Sequence, residues 1–134
     1  MPHLIIEYSA NLDADIEFAA LAQPIHEAAL ATGVFPVGGC RTRVTRHDIF
    51  VVGDDHVDNR FIHIQARIGA GRSPDVRQKA AEQIFASLKA FTATVFAKRP
   101  LGETLEIAEI DPLGALKHNN PHDIIAARQK GTTS

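Results

Sequence analysis

The hydrophobic positions of the chain switch between two periods, and the switches lay out its elements. Leu4-Ile5-Ile6, between His3 and Glu7, is a short apolar run rich in β-branched residues, which predicts a buried parallel strand. Phe18, Leu21, Ala22, Ile25 and Ala29 then recur at helical spacing, the stripe of an amphipathic helix over residues 13–31. Asn11 or Asp13 is its expected cap and Gly33 its stop. Pro24 lies inside it and removes a backbone donor, so a kink or break is expected there. After Pro36, Gly38 and Gly39, the segment Arg41 to Arg46 reads as extended, and Ile49 to Val52 as a further β-branched strand run. Gly53-Asp54-Asp55 and Asp58-Asn59 are turn chemistry.

The second half repeats this plan. Ile62, Ile64, Ala66 and Ile68 alternate with His63, Gln65 and Arg67, a period-two strand. Ser73 is placed to cap the next helix, with Pro74 at its first position. Ala81, Ile84, Phe85, Leu88, Phe91, Thr92 and Val95 carry its apolar stripe to about residue 98. Pro100 and Gly102 end it, and Leu105 to Ile110 is the last strand. The tail, residues 111–134, is expected to be only partly ordered beyond residue 125.

The order strand, helix, strand thus occurs twice. It predicts an α/β fold (α+β in some schemes) of tandem β-α-β units: one mixed sheet with two helices on one face. At 134 residues the chain is expected to be a single domain, 1–134, with pseudo-repeat halves at about 2–52 and 61–110. Two helices cover one face of the sheet, so another copy of the chain is expected on the other.

Composition narrows the function. Lys plus Arg is 14 against 16 for Asp plus Glu, which argues against a basic nucleic-acid module. Cys40 is the one cysteine, so neither an internal disulfide nor a multi-thiolate zinc site is available. Beside Arg41, Cys40 reads either as a low-pKa thiolate or as a small buried residue. His118 and His122 are four apart, but Pro121 stands between them and argues against a helical metal pair. Acidic residues interrupt the first twenty positions and no run approaches the ~20 apolar residues of a membrane span. A soluble cytoplasmic protein, with no membrane partner, is expected.

Three features carry candidate chemistry. Removal of Met1 would start the chain at Pro2, whose nitrogen is then a secondary amine. An α-amino group has a pKa of about 7.7–8.0, so it can serve as a base or nucleophile; otherwise Pro2 is an ordinary second residue. Gly69-Ala70-Gly71-Arg72-Ser73-Pro74 joins a strand to a helix. It sets Arg72 where backbone amides also welcome anions, and a guanidinium fork matches a carboxylate; the other reading is a solvated loop arginine. In Arg41-Thr42-Arg43-Val44-Thr45-Arg46, alternation puts Arg41 and Arg43 on one face of the sheet and Arg46 on the other. The strand is expected to be a central one, where such a pair calls for an anion; at an edge or a strand end water suffices. Spacing does not choose between Arg41 and Arg43.

Together these features resemble the tautomerase superfamily, and within it the 5-carboxymethyl-2-hydroxymuconate isomerase family. The resemblance runs through Met1-Pro2-His3-Leu4-Ile5-Ile6-Glu7-Tyr8-Ser9, Ala31-Thr32-Gly33-Val34-Phe35-Pro36, Gly39-Cys40-Arg41-Thr42-Arg43-Val44, Ile68-Gly69-Ala70-Gly71-Arg72-Ser73 and Lys117-His118-Asn119-Asn120-Pro121-His122, in order. It implies a homotrimer that catalyses keto-enol tautomerisation of a polycarboxylate dienol in homoprotocatechuate catabolism, without metal or organic cofactor. By position it makes Pro2 the base and Arg41 and Arg72 the carboxylate binders, with Arg43 a further candidate. One guanidinium ~7 Å from the Pro2 nitrogen, at an effective dielectric of ~20, disfavours the protonated amine by roughly 2 kcal/mol. That lowers its pKa by between one and two units. A different activity of the same superfamily, or a non-catalytic trimeric dicarboxylate-binding protein, would use the same residues.

Overall fold

The structure, a computed structural model, describes residues 2–132. Four strands form one mixed sheet in the order β2-β1-β3-β4: β1 His3–Ser9, β2 Arg41–His47, β3 Arg60–Gly69 and β4 Leu101–Ile110. β1 pairs with β2 and β3 with β4 in parallel, while β1 and β3 run antiparallel. Helices α1 (Phe18–Ala31) and α2 (Pro74–Lys98) are the two crossovers. They cover one face, against Leu4, Ile6 and Tyr8 of β1 and Ile62, Ile64, Ala66 and Ile68 of β3. Leu21 and Ile25 from α1 and Ile84 and Leu88 from α2 close this core. The period-two and helical patterns therefore point to the same interior.

Local chemistry sets the helix ends. The Ser73 hydroxyl accepts the Val76 N–H (3.2 Å) and Pro74 opens α2. α1 starts later than expected. A 3₁₀ turn takes Ala10–Leu12, and the Glu17 carboxylate, not Asn11 or Asp13, caps the helix on Ala19 N (3.1 Å). The helix runs on through Pro24 without a break, since its flanking residues Leu21 and Ile25 are held in the core. Gly33, at φ +76°, ends it in the left-handed region that glycine tolerates.

Three expectations are corrected. Residues Ile49 to Val52 form no strand. β1 ends at Ser9, which pairs with His47, so no backbone is left for the next residues to pair with, and Ile49 is 95% exposed. β2 is an edge strand, not a central one, so Arg41 and Arg43 lie at an open border of the sheet. The tail carries a third helix, α3 (Pro121–Thr132), in which Pro121 opens a helix rather than interrupting one. Its first turn lies against the loop before β2: a Cβ at Gly38 would stand 2.4 Å from His122 Cα. No helix among the described residues is long and apolar enough to cross a membrane.

Candidate active site

One end of the sheet gathers the predicted residues. β1 begins there with Pro2 just before it, and parallel pairing brings the start of β2 alongside. The Arg41 N–H donates to the Pro2 carbonyl at 3.1 Å. β3 runs the other way, so it ends there, with Arg67 opposite His3 and Gly69 just beyond. β4 ends beside it, with Ile110 opposite Gly69. The connection Ala70-Gly71-Arg72 therefore leaves the sheet at the same end as Pro2. Gly71 takes φ +112°, and its N–H is held by Glu109 at 2.9 Å.

Alternation divides these residues between the faces. Pro2 is buried and shares the parity of Leu4 and Ile6, the core-facing residues of β1. Arg72 is half-buried and donates to the Val34 carbonyl beyond α1 (3.3 Å). Arg41 and Arg43 share the opposite parity, in register with His3 and Ile5. Arg41 donates to the Gly39 carbonyl and to Asn119 Oδ1, both at 3.1 Å. Arg43 reaches His3 Nδ1 at 3.1 Å. Arg46 faces the other way, to Asp13 and Asp48. Met1, on which the free amine depends, lies outside the described residues.

On the open face at this end is a cavity of about 560 Å³, within the usual ~300–1,000 Å³ of small-molecule sites. Arg41, His3 and Arg67 line its sheet side, and the tail residues Pro112, Lys117, His118 and Asn119 its other side. Among the described residues no Asp or Glu lines it. Arg43 and Arg72 do not reach it, and Pro2 adjoins it through its peptide link to His3.

The electrostatics of this end are one-sided. Arg46, Arg60, Arg77 and Arg99 each sit within ion-pair distance of a carboxylate. Among the described residues Arg41, Arg43, Arg67 and Arg72 contact neutral groups or none. The His3 imidazole registers the field: burial first, then the charges of Arg43, Arg41 and Arg67, lower its pKa. Cys40 is not a thiolate candidate. It is half-buried with Sγ 3.9 Å from His26 Nδ1, and burial pushes its thiol up. Arg67 and Lys117 were not singled out as site residues, although Arg67 occupies a polar position of the β3 alternation and Lys117 opens one of the family-like motifs. Fifty residues separate the two, and only the parallel pairing of β3 with β4 and the turn of the tail at Gly114 (φ +81°) bring them to one cavity.

Comparisons with known proteins give the family and the fold. A family model described as 5-carboxymethyl-2-hydroxymuconate isomerase matches residues 2–125. A 5-carboxymethyl-2-hydroxymuconate Delta-isomerase of Escherichia coli is 36% identical over 122 residues, covering 91% of this chain and 97% of its own. The crystal structure of a 5-carboxymethyl-2-hydroxymuconate isomerase from Deinococcus radiodurans R1 superposes with a TM-score of 0.86 at 36% identity, covering 92% and 93% of the two chains. A fused 4-OT wild type asymmetric trimer shares the fold alone, with a TM-score of 0.61 at 15% identity over 90% of this chain and 98% of that one. With the proline at the head of β1, the arginine-rich sheet end and a match spanning strand, loop and tail, the chain belongs to the 5-carboxymethyl-2-hydroxymuconate isomerase family.

Proposed function

We propose that the chain catalyses the keto-enol tautomerisation of 5-carboxymethyl-2-hydroxymuconate, with the Pro2 nitrogen as base once Met1 is removed. The observation that carries this reading is the arginine-rich end of the sheet: four guanidinium groups with no carboxylate partner among the described residues, around the start of β1. Such a field keeps a nearby amine neutral and attracts polycarboxylates. The neutral nitrogen takes the proton of the 2-hydroxyl. The electron pair moves along the diene, the carbonyl forms at the former enol carbon, and a proton is delivered at a distal carbon. Arg41 and Arg72 bind carboxylates and stabilise charge accumulating on oxygen, and Arg43 adds to the field from the neighbouring row.

A homotrimer belongs to the same proposal. Both edges of the sheet are open, which folded proteins ordinarily cover. Val51, Leu113 and Leu116 leave apolar surface that an adjoining copy would bury. A cytoplasmic setting fits the single unpaired Cys40.

The test joins intact-mass analysis of the N-terminus to an ultraviolet ketonisation assay of wild type and Pro2→Ala. The expected result is a chain beginning at Pro2 and a variant that folds but loses most turnover. Equal turnover by Pro2→Ala removes the base assignment. A retained Met1 with dicarboxylate binding and no turnover makes the protein a binding protein instead.

A further inference from the structure

Arg72 is read as a carboxylate binder, yet it stands on backbone that packing does not confine. Between Gly69, the last residue of β3, and Ser73, the cap of α2, lie Ala70, Gly71 and Arg72. Gly71 takes φ +112°, a conformation that glycine leaves as easily as it enters. A Cβ on Gly69 or Gly71 would meet nothing within 4 Å. At its far end the Arg72 side chain reaches the Val34 carbonyl through Nη2 at 3.3 Å, a long contact made by one nitrogen of the fork.

One carboxylate holds this turn. Glu109, the penultimate residue of β4, accepts the Gly71 N–H on Oε2 at 2.9 Å and meets Arg77 Nη1 with Oε1 at 3.1 Å. Arg77 lies in the first turn of α2, where its backbone N–H donates to the Ser73 carbonyl at 3.1 Å. The two oxygens of Glu109 thus tie the connection, one residue before Arg72, to the end of β4 and to the start of α2. The Arg77 guanidinium also balances the carboxylate, so the turn is held without a bare negative charge beside Arg72. Glu109 stands opposite Ile68, a core residue of β3. The clamp is therefore on the helix-covered side of the sheet, the side of Pro2, and is made within one chain.

Resting on the isomerase reading, the geometry points to Glu109 as a positioning residue of the reaction: by accepting the Gly71 N–H it fixes the turn that carries Arg72, and so aims the Arg72 fork at a substrate carboxylate. Glu109 itself touches neither the substrate nor the base. The role needs an acceptor at position 109 rather than a charge. Loosening Arg72 must cost less than removing it, so the effect is bounded by about 10²-fold in rate and is expected at about tenfold.

The experiment is a double-mutant cycle: kcat/KM on 5-carboxymethyl-2-hydroxymuconate for wild type, Glu109→Ala, Arg72→Ala and the double variant, with Glu109→Gln as the rescue. Glu109→Ala is expected to lower kcat/KM about tenfold. Its melting temperature should stay within about 4 °C of wild type, because the ion pair it loses is partly exposed on both sides. Glu109→Gln, whose amide oxygen still accepts the Gly71 N–H, is expected to recover most of the rate. On the Arg72→Ala background, Glu109→Ala should bring no further loss. The same fall on both backgrounds overturns the proposal, as does full activity of Glu109→Ala or a glutamine variant as slow as the alanine one. Each of these results leaves the isomerase reading standing. A wild type that does not turn over the dienol ends that reading alone. Positioning is then measured without substrate, from nitrogen relaxation of the Arg72 Nε–H, a signal assigned by its disappearance in Arg72→Ala. An ordered side chain in wild type and Glu109→Gln that becomes mobile in Glu109→Ala supports the proposal, and equal order in all three overturns it.

Discussion

Gly38→Ala tests whether the C-terminal tail is part of the site. A Cβ at position 38 would meet His122 at 2.4 Å from Cα and 2.7 Å from Nδ1, so either the loop or the tail must move. The loop is the stiffer of the two. Gly39 and Cys40 both donate to the Pro36 carbonyl at 3.0 Å, and Arg41 N is tied to Pro2 at 3.1 Å. The tail is largely exposed, and its link to the site is the Arg41–Asn119 hydrogen bond, worth about 1 kcal/mol net. Forcing an extra methyl into a packed site costs about 1–3 kcal/mol when nothing yields. Release of the tail is therefore the cheaper outcome. It should lower the melting temperature by only about 4 °C, at roughly 4 °C per kcal/mol for a chain of this size. Yet it removes Lys117, His118 and Asn119 from the cavity wall, and we expect kcat/KM to fall about tenfold, the loss of one or two polar contacts. Hydrogen exchange over residues 112–132, read beside the ketonisation assay, checks this: protection should drop there and persist in β1 and β3. Unaltered protection of the tail with wild-type activity refutes the reasoning. A fall of more than about 12 °C, some 3 kcal/mol, refutes it differently, by showing that the loop gave way.

Three further predictions follow from charge and burial. Arg72→Ala should lower kcat/KM by about 10²-fold, the loss of a charge-assisted carboxylate contact of about 2–3 kcal/mol; an unchanged value takes Arg72 out of the site. Tyr8 is the only tyrosine and there is no tryptophan, so absorbance at ~295 nm, where tyrosinate absorbs, titrates Tyr8 alone. Burial first, then the hydrogen bond to Asp13 at 2.7 Å, push its pKa up to about 12. The stability linked to Tyr8 is thus intact below its ordinary value near 10 and lost as pH rises through about 12; Asp13→Asn should shift the titration downward, and a wild-type midpoint near 10 contradicts the packing. Burial also raises the Glu103 pKa, against the Thr92 hydroxyl that donates to it at 2.6 Å. Its folded state therefore favours the protonated form, a contribution present in acid and lost as pH rises through the raised value. Glu103→Gln should raise the melting temperature near neutral pH and make no difference below about pH 4; destabilisation at neutral pH would show that the Thr92 contact outweighs burial.

What the sequence made legible was local, and what it hid was decided by partners distant in the chain. Ile62, Ile64, Leu21 and Leu88 declare their burial by period alone, because a strand or helix carries its own geometry. Ile49 to Val52 has the same β-branched character and forms no strand, because β1 stops at Ser9 and leaves nothing to pair with. Conversely, Leu101 and Gly102 lie next to a helix-ending proline and are strand, because Arg60 and Phe61 stand opposite to pair with them. The site divides in the same way. Pro2, Arg41 and Arg72 stood out because each sits in a short motif of recognisable chemistry. Arg67 and Lys117 did not: a single basic residue on a polar strand face or in a tail has no signature until the register is known. What then distinguishes them is that no carboxylate among the described residues stands against either. A protein that pairs Arg46, Arg60, Arg77 and Arg99 and, among its described residues, sets no carboxylate against the arginines of one sheet end carries self-repulsion there, and a polyanionic ligand that relieves it binds more tightly for that reason.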